Sequence, residues 1–346
     1  MTSVKPITIV GGGLAGLALG IGLRQRGIPV TVWEAGRYPR HRVCGEFING
    51  RGLETLRHLR LQQRLINAGA VLGRTAKFFS RTRTSCRLEL PQPALCLARY
   101  QMDALFAHCF RELGGELRAG ERWRSSPEQE GVVVASGRQP QPLADGWRWF
   151  GLKVHALNVV TDADLEMHFS GNGYVGLCRQ SSGIVNVCGL FRRQPGSKDP
   201  VESWHEQLRG PAGSRLRARL DGASFLPESF CAVAGLGLKP QSARRQLECR
   251  IGDALTMIPP LTGNGMSMAL ESAELALDPL SAYGHGETDW TKARQRVACA
   301  CDFAFTRRLR WASWLQQLIF MPALQNTLVA ASANDWFWRL WFDRTR

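Results

Sequence analysis

A mixed α/β fold is predicted for this chain of 346 residues by three observations. A β-branched run at the N-terminus leads through a glycine-rich turn into a helical stretch, a central region alternates in short strands, and the C-terminal segment reads as helical. With 44% hydrophobic and 21% charged residues the chain has the composition of a globular protein that folds throughout, and no internal repeat suggests a solenoid or array.

Ile7-Thr8-Ile9-Val10 is the first strand, Gly11-Gly12-Gly13-Leu14-Ala15-Gly16 the turn, and Leu17 to Arg26 the helix, closed by Gly27 as a C′ glycine. Pro29 to Trp33 restores a strand that ends in Glu34, with Ala35 beside it. This is a βαβ unit of the Rossmann type, and Gly11, Gly13 and Gly16 fill the three places of GxGxxG. One glycine makes the turn, one lets backbone approach a pyrophosphate, and one allows close helix-strand packing. The N–H groups around Leu14 and Ala15 would face the phosphates with the positive end of the helix dipole. Glu34 lies eighteen residues past Gly16, where a carboxylate accepts hydrogen bonds from both ribose hydroxyls and repels a 2′-phosphate.

A second motif separates FAD from NAD. Gly252-Asp253 at a strand end can place a carboxylate on ribityl hydroxyls, which only a flavin has. Pro260, Gly263, Asn264, Gly265 and Met266 then open a helical run from Ser267 to Leu277, whose N-terminus can aim its dipole at the N1/C2=O edge of a flavin.

Together with Arg42-Val43-Cys44-Gly45-Glu46-Phe47-Ile48, these motifs resemble the flavoprotein superfamily of p-hydroxybenzoate hydroxylase-type monooxygenases, flavin-dependent halogenases and geranylgeranyl reductases; the Cys-Gly-Glu element most resembles the geranylgeranyl-reductase-like branch. Leu97 to Leu105, with Arg99 and Asp103, is similar to the arginine and acid that open the superfamily's second nucleotide-domain helix, and Val132 to Arg138, with Gly137, to the strand that ends beside FAD. The resemblance implies that Arg42, Cys44, Gly45, Arg99 and Gly137 contact the cofactor, with Cys44 near the flavin ring in a redox or proton-transfer role or as a small buried hydrophobe, and with Glu46 orienting substrate or capping a turn. The Asp-Gly pair that bridges FAD and NADPH in the hydroxylases does not follow Val132–Ala135; Asp145-Gly146 comes later. NAD(P)H or a separate reductase is the expected electron source. Trp147-Arg148-Trp149-Phe150-Gly151 shares only the tryptophan spacing of the halogenase Trp-x-Trp-x-Ile-Pro motif, which disfavours halogenation.

Between about residues 145 and 240 the pattern gives strands at Trp149–Ala156, Asp164–Phe169, Gly173–Cys178 and Ile184–Phe191, an antiparallel sheet suited to a substrate domain. Odd positions along the first share one face, so Lys153 and His155 either meet a substrate oxygen as proton donors or form the solvated side of a half-buried sheet.

The C-terminal segment interleaves arginine with Trp311, Trp314, Trp336, Trp338 and Trp341. Such a pattern forms either an interfacial surface for peripheral membrane contact or the core of helices covering the substrate domain. A net charge of +15 comes without a nucleic-acid-binding signature, so no nucleic-acid partner is expected. The ten cysteines lack metal-ligand spacing, which predicts reduced thiols and no metal site. No signal peptide is evident, and a cytoplasmic, possibly membrane-associated protein is expected.

The expected architecture is an FAD-binding domain over 1–145 and 245–285 with a short substrate-side insertion at about 50–95, an antiparallel substrate domain over 146–244, and a helical segment over 286–346. The expected activity is hydroxylation of a hydrophobic aromatic, polyketide or lipid-like substrate through a flavin hydroperoxide. Reduction of an isoprenoid carbon–carbon double bond and a non-catalytic flavin-binding accessory role are the alternatives.

Overall fold

The computed structural model describes residues 4–141, 143–144, 146–197 and 203–344; Asp145 of the late Asp-Gly pair lies outside them. A parallel five-stranded sheet is built from β1 (Ile7–Val10), β2 (Val30–Glu34), β6 (Glu116–Ala119), β7 (Val132–Val134) and β13 (Cys249–Arg250), in the order β13-β7-β1-β2-β6. Helix α1 (Leu14–Gln25) connects β1 to β2 and is buried from Leu14 through Leu23. It lies between α4 (Arg99–Glu112) and α7 (Gly265–Gly284), which explains why an apolar, glycine-containing sequence is tolerated in a helix interior. A Cβ at Gly20 would come within 2.8 Å of Phe110, and one at Gly22 within 2.5 Å of Leu277. The helix ends as expected at Gly27, which adopts φ +77° and donates its N–H to the Arg24 carbonyl.

The second sheet has eight strands in the order β12-β8-β11-β10-β9-β4-β5-β3. Four are the strands predicted in the central region, β8 (Arg148–Leu157), β9 (Leu165–Phe169), β10 (Gly173–Arg179) and β11 (Val185–Arg193), within a residue or two of the predicted limits. The others are β3 (Phe47–Ile48), β4 (Val71–Phe79), β5 (Leu88–Cys96) and β12 (Ser224–Ala234). The pairing is antiparallel throughout except for β4 beside β9. Short helices α2 (Arg51–His58) and α3 (Gln62–Asn67) join β3 to β4, and α5 (Trp204–Arg209) and α6 (Arg215–Arg219) join β11 to β12.

Period-two alternation decides what β8 does. Leu152, Val154 and Ala156 pack with Leu208, Leu216 and Leu220, while Lys153 and His155 take the opposite face. That face is not solvated. Lys153 is fully buried and His155 nearly so, because the loop before β3 and the start of α4 cover it. The reading of these two residues as a solvent-facing polar side is therefore corrected: alternation predicts which side chains share a face but not what covers it.

Helix α8 (Trp290–Ile319) packs Val297, Cys301, Phe305, Leu309 and Ala312 into the large core and is fastened to α7 by a buried Arg308–Glu271 ion pair at 2.6 Å. Helices α9 (Pro322–Ala331) and α10 (Asp335–Arg344) return over the second sheet, where Trp338 and Phe342 pack on Ala76 and Leu88 and the Trp338 indole donates to the Glu89 carbonyl at 2.9 Å. The C-terminal tryptophans thus divide between core and surface, with Trp314 and Trp336 exposed. Among the described residues no helix is long and apolar enough to cross a membrane.

Candidate functional site

The glycine turn after β1 has a filled side and an open side. A Cβ at Gly11, where φ is +112°, would overlap the Ala135 carbonyl, and one at Gly16 would overlap the Gly11 carbonyl; neither position has room. At Gly13, directly before α1, a Cβ would meet nothing within 4 Å. An open cradle therefore lies against a helix N-terminus with no side-chain cap and with the backbone N–H groups of Leu14 and Ala15 in its first turn. Gly137, also predicted to border the cofactor, adopts φ +80° and likewise faces open space.

Glu34 sits at the end of β2 with both oxygens already engaged. Oε2 accepts from the Gly12 N–H at 2.9 Å and lies 2.8 Å from the Arg40 guanidinium as an ion pair, and Oε1 accepts from the Gly36 N–H at 2.7 Å. Tyr38, whose hydroxyl bonds the Gly12 carbonyl, and Arg40 close this corner, and neither is signalled by the glycine motif. Ala35 is exposed at its rim.

Across the cleft, Arg99 makes a bidentate contact with the fully buried Asp103 one turn along α4, each bond 2.9 Å, and Arg42 reaches Asp103 at 3.3 Å. Burial works against the Arg99 cation, but Asp103 outweighs it and holds the guanidinium pKa above its usual value. The Cys44 thiol next to Arg99 is pushed up by burial despite that cation and stays protonated at neutral pH.

Asp253 is accessible to solvent yet set deep in the protein, as a group on the wall of a cleft is. Burial raises its pKa to about 6, against the pull of Arg99, Arg138 and Arg42. Gly252 before it approaches Ala15, where a Cβ would lie 2.9 Å away, so the two predicted motifs meet in space. Pro260 and its neighbours form a tight turn that ends at Gly263 with φ +63°, and α7 begins at Gly265 with Asn264 as its N-cap and Met266 buried. Ser267 in that first turn bonds the Asn49 carbonyl at 2.8 Å and ties α7 to the loop after β3.

The seam between the two sheets is held by Glu46, a residue the sequence analysis named only as orienting substrate or capping a turn. It is fully buried with φ +63°, unusual for a residue with a side chain. Its carboxylate is hydrogen-bonded to His155 Nε2 at 2.7 Å, accepts from the Arg99 N–H at the start of α4 at 3.1 Å, and forms an ion pair with Lys153 Nζ at 3.2 Å. Burial alone would raise the Glu46 pKa; the His155 hydrogen bond and the charges of Lys153 and His155 overcome it and hold the carboxyl below its ordinary range. His41 continues the set, with Nδ1 3.2 Å from Lys153 Nζ and its ring stacked on Tyr100. Burial, then the nearby Lys153 and His155, lower its pKa to about 4, so His41 is neutral at pH 7. Cys44 and Gly45 immediately precede Glu46, and the Cys44 carbonyl accepts from the Asn186 amide at 2.9 Å. The Asn186 side-chain oxygen is buried without a hydrogen-bond partner, which leaves an acceptor available at this seam.

Lys153 and His155, proposed from strand alternation, and Cys44, proposed from resemblance, are therefore brought together, but through Glu46. Its only sequence signal is its place in the Cys-Gly-Glu element.

Residues 4–142 match the FAD binding domain family. None of the curated proteins matches this chain in sequence. Among solved structures, the flavin-dependent brominase Bmp2 superposes with a TM-score of 0.73 at 15% identity, covering 98% of this chain and 92% of the brominase. A geranylgeranyl bacteriochlorophyll reductase-like protein from Thermoplasma acidophilum gives 0.70 at 15% identity, covering 96% and 92%. A mutant of P. aeruginosa PqsL gives 0.71 at 14% identity, covering 94% and 99%. At these identities the likeness speaks to the fold. Residues 4–142 thus carry an FAD-binding domain, and the chain as a whole has the fold of these flavoproteins.

Proposed function

We propose that the protein is a monooxygenase that hydroxylates a hydrophobic aromatic, polyketide or lipid-like substrate. The observation that carries this reading is the buried Glu46–Lys153–His155 set, which adjoins Cys44 and the N-terminus of α4 on the inner face of β8. The residues fit FAD: the Gly13 cradle and the first turn of α1 would take the pyrophosphate, Glu34 a ribose hydroxyl, Asp253 the ribityl chain, and the N-terminus of α7 the ring edge. Bound there, FAD supplies two-electron redox chemistry and reactivity toward oxygen.

In the net reaction one oxygen atom enters the substrate and the other leaves as water, with two protons and two electrons, the electrons coming from NAD(P)H or a separate reductase. The protein has to exclude water and supply protons at fixed positions. Lys153 and His155 are donors held by Glu46 in a buried setting, and one of them can orient a substrate oxygen while Glu46 keeps its charge. The absence of the Trp-x-Trp-x-Ile-Pro motif argues against halogenation.

Reduction of a carbon–carbon double bond is the second reading, favoured by the Cys44 thiol, which burial keeps protonated as a donor beside the cleft. Turnover of the FAD-loaded protein with NADPH and a panel of phenolic and prenyl substrates separates the two. Oxygen-dependent product carrying one atom from labelled oxygen gas supports hydroxylation, whereas product formed without oxygen overturns it in favour of reduction.

A further inference from the structure

We propose that the outer ridge of α8 docks the protein on an anionic lipid surface. The inner face of α8 is spent on the core through Val297, Cys301, Phe305, Leu309 and Ala312. On the opposite side Phe303, Arg307, Arg310, Trp314 and Gln317 follow one another at steps of four, three, four and three residues, which is a single line down a helix. Met321 follows just past its end. Phe303 is 91% exposed, Trp314 51% and Met321 50%.

A scattered exposed apolar side chain needs no explanation, but this distribution is not scattered. Among the described residues every exposed phenylalanine or tryptophan lies in α8 or α10: Phe303, Trp314 and Trp336. The ridge is also free of acid, with no aspartate or glutamate between Asp302 and Asp335. Arg308, on the inner side, is neutralised by Glu271, while Arg307 and Arg310 form no ion pair among the described residues. Aromatic rings on either side of two uncompensated guanidinium groups suit the headgroup level of a bilayer, where the rings enter the acyl boundary and the cations meet lipid phosphates.

Size selects lipid over a folded partner. The ridge is about 21 Å long and about 10 Å wide, roughly 210 Å², far below the about 800 Å² each side contributes to a stable protein interface. A convex line of protruding side chains makes up for small area only by sinking into a deformable surface.

The test is vesicle flotation of the FAD-loaded holoenzyme, with vesicles of phosphatidylcholine alone and of phosphatidylcholine mixed equally with phosphatidylglycerol. Wild type should float with the mixed vesicles, not with the neutral ones, and be released by high salt. The double variants F303S/W314S and R307Q/R310Q should each bind roughly tenfold less while keeping the visible flavin spectrum, which reports an intact fold. Failure of wild type to float, or equal flotation of either variant, overturns the proposal. So does a wild-type dimer in light scattering that F303S/W314S converts to monomer, since the ridge would then be covered by a second copy.

Discussion

Glu46 and His155 meet at 2.7 Å, joining the loop that leaves the nucleotide-binding sheet to β8, the strand beside the β12 edge of the second sheet. With Lys153 on its other oxygen and the first N–H of α4 on the same carboxylate, Glu46 is a structural tie between three segments. A buried ion cluster of this kind gives specificity of arrangement more than net stability, but removing one member leaves the others uncompensated.

E46Q should therefore destabilise the fold by about 3–5 kcal/mol in urea unfolding at pH 7. Acid should do the same by protonation. Because the folded carboxyl is depressed below its ordinary range, its contribution is present above the unfolded value and is lost as pH falls through the folded one. The wild-type advantage over E46Q should shrink below roughly pH 4. An advantage that stays constant from pH 7 down to acid unfolding contradicts the pairing.

Asp253 should set a second pH dependence, of FAD affinity. Its pKa of about 6 means that the cofactor-free cleft holds it partly protonated in mild acid. In the apoprotein a raised carboxyl stabilises the fold fully below its unfolded value, and that contribution is lost as pH rises through about 6. A carboxylate accepting from ribityl hydroxyls has the opposite preference, so FAD binding should tighten as pH rises through the same region. D253N should bind FAD more weakly and lose that step; a step retained in D253N by fluorescence titration rules the assignment out.

Gly13 and Gly16 separate cradle from packing. G13A fills open space at a φ of −83°, which alanine accepts, so stability should change by less than about 0.5 kcal/mol while FAD affinity falls roughly tenfold or more. G16A drives a methyl into the Gly11 carbonyl and should cost about 1–3 kcal/mol with or without cofactor. Paired thermal melts and FAD titrations check both, and unchanged FAD affinity in G13A would falsify the cradle.

Arg308 and Glu271 lock α8 onto α7. R308M leaves Glu271 buried with only Arg51, 3.8 Å away, as a remaining cation, and should lower stability by about 3–5 kcal/mol. The double variant R308M/E271L should recover most of that loss. If the double variant is no better than the single one, the pair is not what fastens the helices.

Local pattern made the nucleotide-binding half legible. The strand, glycine turn, apolar helix and returning strand from Ile7 to Glu34 are each encoded by neighbours in the chain, and Arg99 with Asp103 is an i, i+4 pair on one helix. Alternation likewise placed four strands of the second sheet and put Lys153 and His155 on one face.

What only the tertiary structure decided is what meets those faces. Glu46 carries no periodic signal, and its partners are 107 and 109 residues away, so its role exists only once the loop before β3 folds across β8. The same holds for Glu34, whose carboxylate meets two backbone N–H groups and the Arg40 cation, and for the C-terminal tryptophans, of which Trp338 is core and Trp314 surface. Periodicity is a property of the backbone repeat and can be read from one segment, whereas burial and charge pairing depend on which distant segment arrives, and a single sequence does not specify that locally.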